Sequence, residues 1–121
     1  MDKKATGFAS PAQGYEEQTI DLNRLLVDNP PATYFMRLKT SEMAALGLPS
    51  GSLLIVDRSK VPILNSFALI RHEGQFYCRL LVKEEGKTVF TNGTTAIIPN
   101  AETEIIGTIT ASIKKYDDFS H

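Results

Sequence analysis

The sequence predicts a mostly β domain of twisted antiparallel strands with one or two short helices, and three observations carry that prediction. Apolar residues recur at every second position over Thr33 to Leu38 and again over Ile105 to Ile113, the period of a half-buried strand. Leu53 to Val56 is a continuous β-type apolar run, the pattern of a buried strand. Glu73-Gly74 and Glu85-Gly86-Lys87 separate further apolar segments as hairpin turns do.

Taken in chain order, residues 1–19 are rich in Gly, Ala, Ser, Pro, Gln and Glu, with only Phe8 and Tyr15 as apolar anchors. So little apolar area does not offset the entropy of ordering, and an extended arm is expected. Asp21 is placed to cap a short helix over Leu22 to Val27, in which Leu22, Leu25 and Leu26 share a face and Asn29-Pro30-Pro31 stops the helix. That face predicts a lid over something apolar. Ser41 to Leu46 reads as a helical turn with Ser41 as N-cap, ended by Gly47 and Pro49. Phe67 to His72, Gln75 to Val82 and Thr88 to Thr91 then form a meander. The last strand is expected to put Ile105, Gly107, Ile109, Ala111 and Ile113 on one face, with Thr108, Thr110 and Ser112 on the other. The organisation is an arm over residues 1–19, a β domain over 20–116 and a polar tail over 117–121.

Composition narrows the function. The chain has 121 residues, 42% hydrophobic and 22% charged, the profile of one globular domain whose modest core favours self-association. Thirteen basic against fourteen acidic residues leave a net charge of -1, so the basic footprint of a phosphate-binding protein is missing and no direct nucleic-acid binding is expected. Cys78 is the single cysteine, which removes an internal disulfide and a Cys-based zinc site. No cofactor or metal is predicted. No apolar run reaches membrane-spanning length, and a cytoplasmic location is expected.

Several blocks in register carry a resemblance: Gly7-Phe8-Ala9-Ser10-Pro11-Ala12, Ile20-Asp21-Leu22-Asn23 with Leu25-Leu26, Ala32-Thr33-Tyr34-Phe35, and Leu53-Leu54-Ile55-Val56-Asp57. Together they make the chain resemble UmuD in its processed form, within the LexA-like Ser/Lys self-cleaving peptidases. The resemblance runs from Gly7 to about Leu81 and more loosely to Ile113. It implies the fold of the LexA and UmuD C-terminal domains, with a Ser and a Lys on neighbouring elements forming the peptidase site. The family's Ser precedes a Met; the matching pair here is Glu42-Met43, preceded at the family's Gly by Thr40. The family's Lys comes after the hairpin; the matching stretch Glu73-Gly74-Gln75-Phe76-Tyr77-Cys78-Arg79 puts Arg79 there.

Chemistry bears on the same two positions without the family. A Ser/Lys dyad needs a hydroxyl nucleophile and an amine that can be neutral. A guanidinium stays protonated at any working pH and cannot serve as the base. Glu42 and Arg79 are therefore read as a degenerate dyad, the chain as a pseudo-peptidase and not an enzyme, and the two side chains as a salt bridge across the former site. The plainer alternative has each side chain in solvent, where a pair is worth about 0 to 1 kcal/mol. A dyad shifted to Ser41 with Lys39 or Lys83 is disfavoured, since a one-residue shift redirects a side chain by a large angle. His72 and His121 are read as exposed polar residues, and Cys78 as a small apolar core or interface residue.

The resemblance also places the family's cleavage point at Thr6-Gly7, so that only Met1 to Thr6 precede it; the chain is expected to be made directly in the processed state. Truncation is the alternative, but it leaves the changes at Glu42 and Arg79 unexplained. The function implied is that of a homodimer, with Ile105, Ile109 and Ile113 at its interface through the last strand. The dimer would serve as accessory subunit of a UmuC-like translesion polymerase in SOS mutagenesis and DNA damage repair. A decoy forming mixed dimers with host UmuD or a LexA-like repressor is the second reading, with the RecA filament as a further partner, and an active self-cleaving peptidase the third.

Overall fold

The computed structural model describes residues 19–117; the expected cleavage point at Thr6 and Gly7, most of the arm and the end of the tail lie outside them. Asp21 caps α1 (Leu22–Leu26), its carboxylate accepting from the N–H groups of Asn23 and Arg24, and a 3₁₀ turn at Pro30–Ala32 leads into the sheet. Seven strands come next: β1 (Thr33–Arg37), β2 (Leu53–Asp57), β3 (Phe67–His72), β4 (Gln75–Glu84), β5 (Lys87–Thr91), β6 (Ala96–Ile97) and β7 (Thr103–Ile113). They form one antiparallel sheet in the order β1-β2-β7-β3-β4-β5-β6. The fold is the mostly antiparallel β architecture that the sequence predicts.

Local chemistry explains the two hairpins. Both central residues of each turn have positive φ, at 51° and 85° for Glu73-Gly74 and at 51° and 80° for Glu85-Gly86. That is the type I′ geometry whose twist matches the flanking strands. Lys87, expected in the second turn, is instead the first residue of β5, because a two-residue loop is enough.

β7 departs from the expected alternation. Its partner register slips by one residue between Ile55 and Val56 on β2 and between Leu69 and Ile70 on β3, which leaves Thr110 and Ile106 as extra residues on β7. Each bulge reverses the facing of the residues beyond it. Ile106 therefore joins Ile109 on the first core cluster, and the single apolar face from Ile105 to Ile113 does not exist. β7 also lies between β2 and β3, with Thr103 to Ile109 paired to β3 and Thr108 to Ile113 paired to β2.

The core has two parts. Leu38, Met43, Leu48, Leu54, Val56, Leu69, Cys78 and Ile109 form one cluster, and Ala68, Ile70, Leu81 and Phe90 the other. β3 contributes to both, Leu69 to the first and its neighbours Ala68 and Ile70 to the second, so it is buried on both faces.

The lid expectation for α1 is not met. No residue of α1 is buried, and Leu22 and Leu25 are exposed. Polar contacts hold the segment after it, with Asp28 paired to Lys60 at 2.8 Å and Asn29 Nδ2 donating to Ser59 Oγ at 3.0 Å. No helix among the described residues is long and apolar enough to cross a membrane.

The β2–β7 crossing generates two predictions. A Cβ on Gly107 would lie 2.7 Å from the Asp57 carbonyl oxygen and 3.0 Å from Arg58 Cα, both backbone atoms that cannot swing aside. Gly107→Ala is expected to destabilise by about 1 to 3 kcal/mol, read as a lower urea midpoint. Asp57 accepts from Ser59 Oγ at 2.5 Å and Ser59 N–H at 2.8 Å. The Ser59 hydroxyl above all, then its N–H and nearby Lys60, hold the carboxyl below its ordinary value of 3.8 against an opposing burial effect. A depressed carboxyl contributes stability that is present above 3.8 and lost as pH falls through its folded-state value. Asp57→Asn should flatten the acid limb of a urea-midpoint profile while leaving its alkaline side unchanged in shape.

Candidate functional site: an ion pair where a catalytic dyad is expected

The connection between β1 and β2 is folded back by its apolar residues. Leu38 and Leu48 are buried at its ends and Met43 is fully buried between them. The Met43 carbonyl accepts from the N–H groups of Leu46 and Leu48, and Gly47, at φ 92°, closes the 3₁₀ turn Ala44–Leu46 in the left-handed region. The expected side-chain cap from Ser41 is not formed. Met43 occupies the cap position and Ser41 contributes only its carbonyl, accepting from Ala44 N–H at 3.0 Å, because the turn starts later than the sequence suggests.

Anchoring Met43 leaves its neighbour Glu42 at the rim of the sheet. There Glu42 Oε1 forms an ion pair with Arg79 Nη1, the contact the sequence predicts. The arginine side chain is 7% exposed and the glutamate 36%. Every part of the glutamate head is used: Thr40 Oγ1 donates to Oε2 at 3.3 Å and accepts from Glu42 N–H at 3.2 Å.

Arg79 sits mid-strand on β4, opposite Ala68 of β3. Its Nη1 also donates to the Cys78 carbonyl at 3.1 Å, and its guanidinium lies 4.9 Å from the centroid of the Tyr77 ring, within cation–π range. Sequence reasoning missed Tyr77, although two residues apart on one strand means a shared face. Arg79 Nε is buried with no partner among the described residues, a residual cost of the arrangement.

The pair borders a cleft of about 280 Å³ whose wall includes Met36, Leu38, Lys39, Leu69, Phe76 and Cys78. The guanidinium is permanently charged and cannot serve as a base, and both oxygens of Glu42 are engaged. The Cys78 thiol is pushed up to about 12, chiefly by burial, with Glu42 adding to the rise and Arg79 opposing it. It is a core thiol and not a nucleophile.

The other sequence-derived positions scatter. Ile109 is 7% exposed and belongs to the core, whereas Ile105 and Ile113 are 47% and 39% exposed. His72 is less exposed than expected, its Nδ1 lying 2.8 Å from Thr103 Oγ1 where β3 meets β7. Ser41 shares no hydrogen bond with Lys39 or Lys83 among the described residues. No group of three or more His, Cys, Asp or Glu that could hold a metal occurs among the described residues.

Removing Glu42 would leave a buried cation with its Tyr77 contact and one carbonyl. Glu42→Ala is expected to destabilise by about 1 to 3 kcal/mol, and the double variant Glu42→Ala/Arg79→Met by less than the sum of its parts, read by a urea double-mutant cycle. Iodoacetamide at pH 8 should leave Cys78 unmodified in the folded protein and label it in urea, as read by mass spectrometry.

Comparison with known proteins places this geometry. The Peptidase S24-like family matches residues 1–110. The chain is 34% identical to protein SamA of Salmonella typhimurium strain LT2 over 110 residues, which cover 90% of this chain and 79% of SamA. It is 36% identical to protein ImpA of Escherichia coli over 81 residues, 67% of this chain and 56% of ImpA. With protein MucA of Escherichia coli it shares 44% identity over 59 residues, 49% of this chain and 40% of MucA. The alignments thus span about half of ImpA and less of MucA. A family match across most of the sequence, on a curled antiparallel sheet that brings positions 42 and 79 together, means that the chain belongs to the Peptidase S24-like family.

Proposed function

We propose that this protein is a non-catalytic, UmuD′-like accessory subunit that supports a UmuC-type polymerase in DNA synthesis across lesions during the SOS response. The observation that carries the reading is the Glu42–Arg79 ion pair. The two positions that resemblance assigns to a Ser nucleophile and a Lys base hold groups that cannot perform either role, and they satisfy each other instead. The site acts as a clasp between the β1–β2 connection and β4. A protein acting through a partner also fits a net charge of -1, which gives no basic surface excess for DNA.

In this reading the chain works as a homodimer. Ile109 is consumed by the core, and Ile105 and Ile113 supply exposed apolar side chains for contact.

The full chain, incubated at pH 10 for hours, is expected to remain intact by mass spectrometry, and Ser41→Ala is expected to behave identically. A fragment abolished by Ser41→Ala would overturn the non-catalytic assignment. Co-expression with a UmuC-type polymerase is expected to give a complex by affinity capture and to raise mutation frequency after ultraviolet damage. Failure of both would remove the accessory role.

A further inference from the structure

The ion pair uses only one corner of the Arg79 guanidinium. Nη1 meets both Glu42 Oε1 and the Cys78 carbonyl. Nε is the one buried side-chain nitrogen or oxygen without a partner among the described residues, and Nη2 has no hydrogen bond among them and is not fully buried. Nε and Nη2 form a single edge of the group, two parallel N–H donors spaced for both oxygens of a carboxylate. An empty donor edge in a buried side chain carries a cost that an acceptor would remove.

The cleft beside this edge is basic as well as apolar. Three cations line it, Arg37, Lys39 and Arg79, against the single carboxylate of Glu42, which Arg79 already holds. Lys39 is exposed and has no ion pair among the described residues. Met36, Leu54, Leu69 and Phe76 supply apolar wall. The segment Lys39-Thr40, which follows β1 along the cleft, makes no backbone–backbone hydrogen bond among the described residues. Its N–H and carbonyl groups are open to a ligand that brings a peptide backbone of its own.

We propose that this cleft binds the free C-terminal carboxylate of a partner polypeptide ending in an apolar residue. The carboxylate takes the Nε–Nη2 edge of Arg79 with Lys39 beside it, the last side chain enters the apolar wall, and the preceding backbone runs along Lys39 and Thr40. Glu42 keeps Nη1, so the two carboxylates occupy different parts of one guanidinium. The ligand is an anion because the lining holds more cations than carboxylates. It is a chain end and not a passing chain because a cleft of about 280 Å³ is at the small end of ligand pockets. This site goes beyond the accessory role proposed above and does not depend on it.

Fluorescence anisotropy with the full chain tests this. The probes are fluorescein-labelled Gly-Ala-Ala-Leu with a free C-terminus, the same peptide amidated, and amidated Gly-Ala-Glu-Leu, whose carboxylate is internal. The free acid is expected to bind about tenfold more tightly than either amidated peptide. Arg79→Lys keeps a charge against Glu42 but lacks the paired donors, and should weaken the free acid about tenfold with an unchanged circular dichroism spectrum. Lys39→Ala should weaken it about threefold, and Lys87→Ala, exposed on β5, should not. N-acetyl-leucine, which cannot reach along Lys39 and Thr40, is expected to compete only at about tenfold higher concentration than the unlabelled free-acid peptide. No binding of any probe, or equal binding of the acid and its amide, overturns the proposal. So does binding indifferent to a folded Arg79→Lys; where that variant unfolds, indifference to Lys39→Ala overturns it instead. Preferential binding of the internal-Glu peptide overturns the chain end as occupant, and N-acetyl-leucine competing as well as the peptide overturns the polypeptide.

Discussion

The whole sheet depends on β7 fitting between β2 and β3. The last strand of the chain is third in the sheet order, so β1 and β2 are joined to the other four strands only through it. The fit leaves no room for a side chain at Gly107, where a Cβ would meet backbone atoms of Asp57 and Arg58. Two bulges, at Ile106 and Thr110, shift the register of this one long strand against each of its two neighbours. The same position explains the division of the core. β3, lying against β7, contributes Leu69 to one cluster and Ala68 and Ile70 to the other.

Onto this frame the candidate site is hung by two anchors of different kinds. Met43 is held by burial of its side chain and by its carbonyl, which accepts from the N–H groups of Leu46 and Leu48. Arg79 is held by its strand, by the ring of Tyr77 and by a carbonyl. The Glu42 carboxylate is the link between them, and Thr40 fixes its orientation from the other side. A cleft beside a charged pair is a common shape for an active site, yet three groups bordering it are already engaged: the carboxylate by Arg79 and Thr40, the guanidinium by Glu42, and the thiol by burial.

Much of this was legible in the sequence, and the failures have physical causes. Period two located β1 and β7, the run at Leu53 located β2, and Gly-containing turns located the β3–β4 and β4–β5 hairpins, because side-chain alternation and positive φ are local properties. The meeting of Glu42 and Arg79 was legible only through resemblance, since the residues lie on distant segments and nothing local links them. The face of β7 was misread because a bulge leaves no mark on an alternating sequence. Its central place was equally invisible, being decided by contacts with strands formed much earlier in the chain. The helix at Leu22 was read as a lid because its leucines share a face, but what such a face covers is not a local property, and among the described residues polar contacts at Asp28 and Asn29 hold its exit.

The coupling between positions 42 and 79 constrains the order in which the two residues can be replaced by descent. A first step from Glu42 to a hydroxyl residue would strand the buried guanidinium, whereas a first step from Arg79 to Lys would keep opposite charges in contact. Selection for folding therefore favours a change at position 79 before one at position 42. A single salt bridge thus makes the history of one position depend on the other.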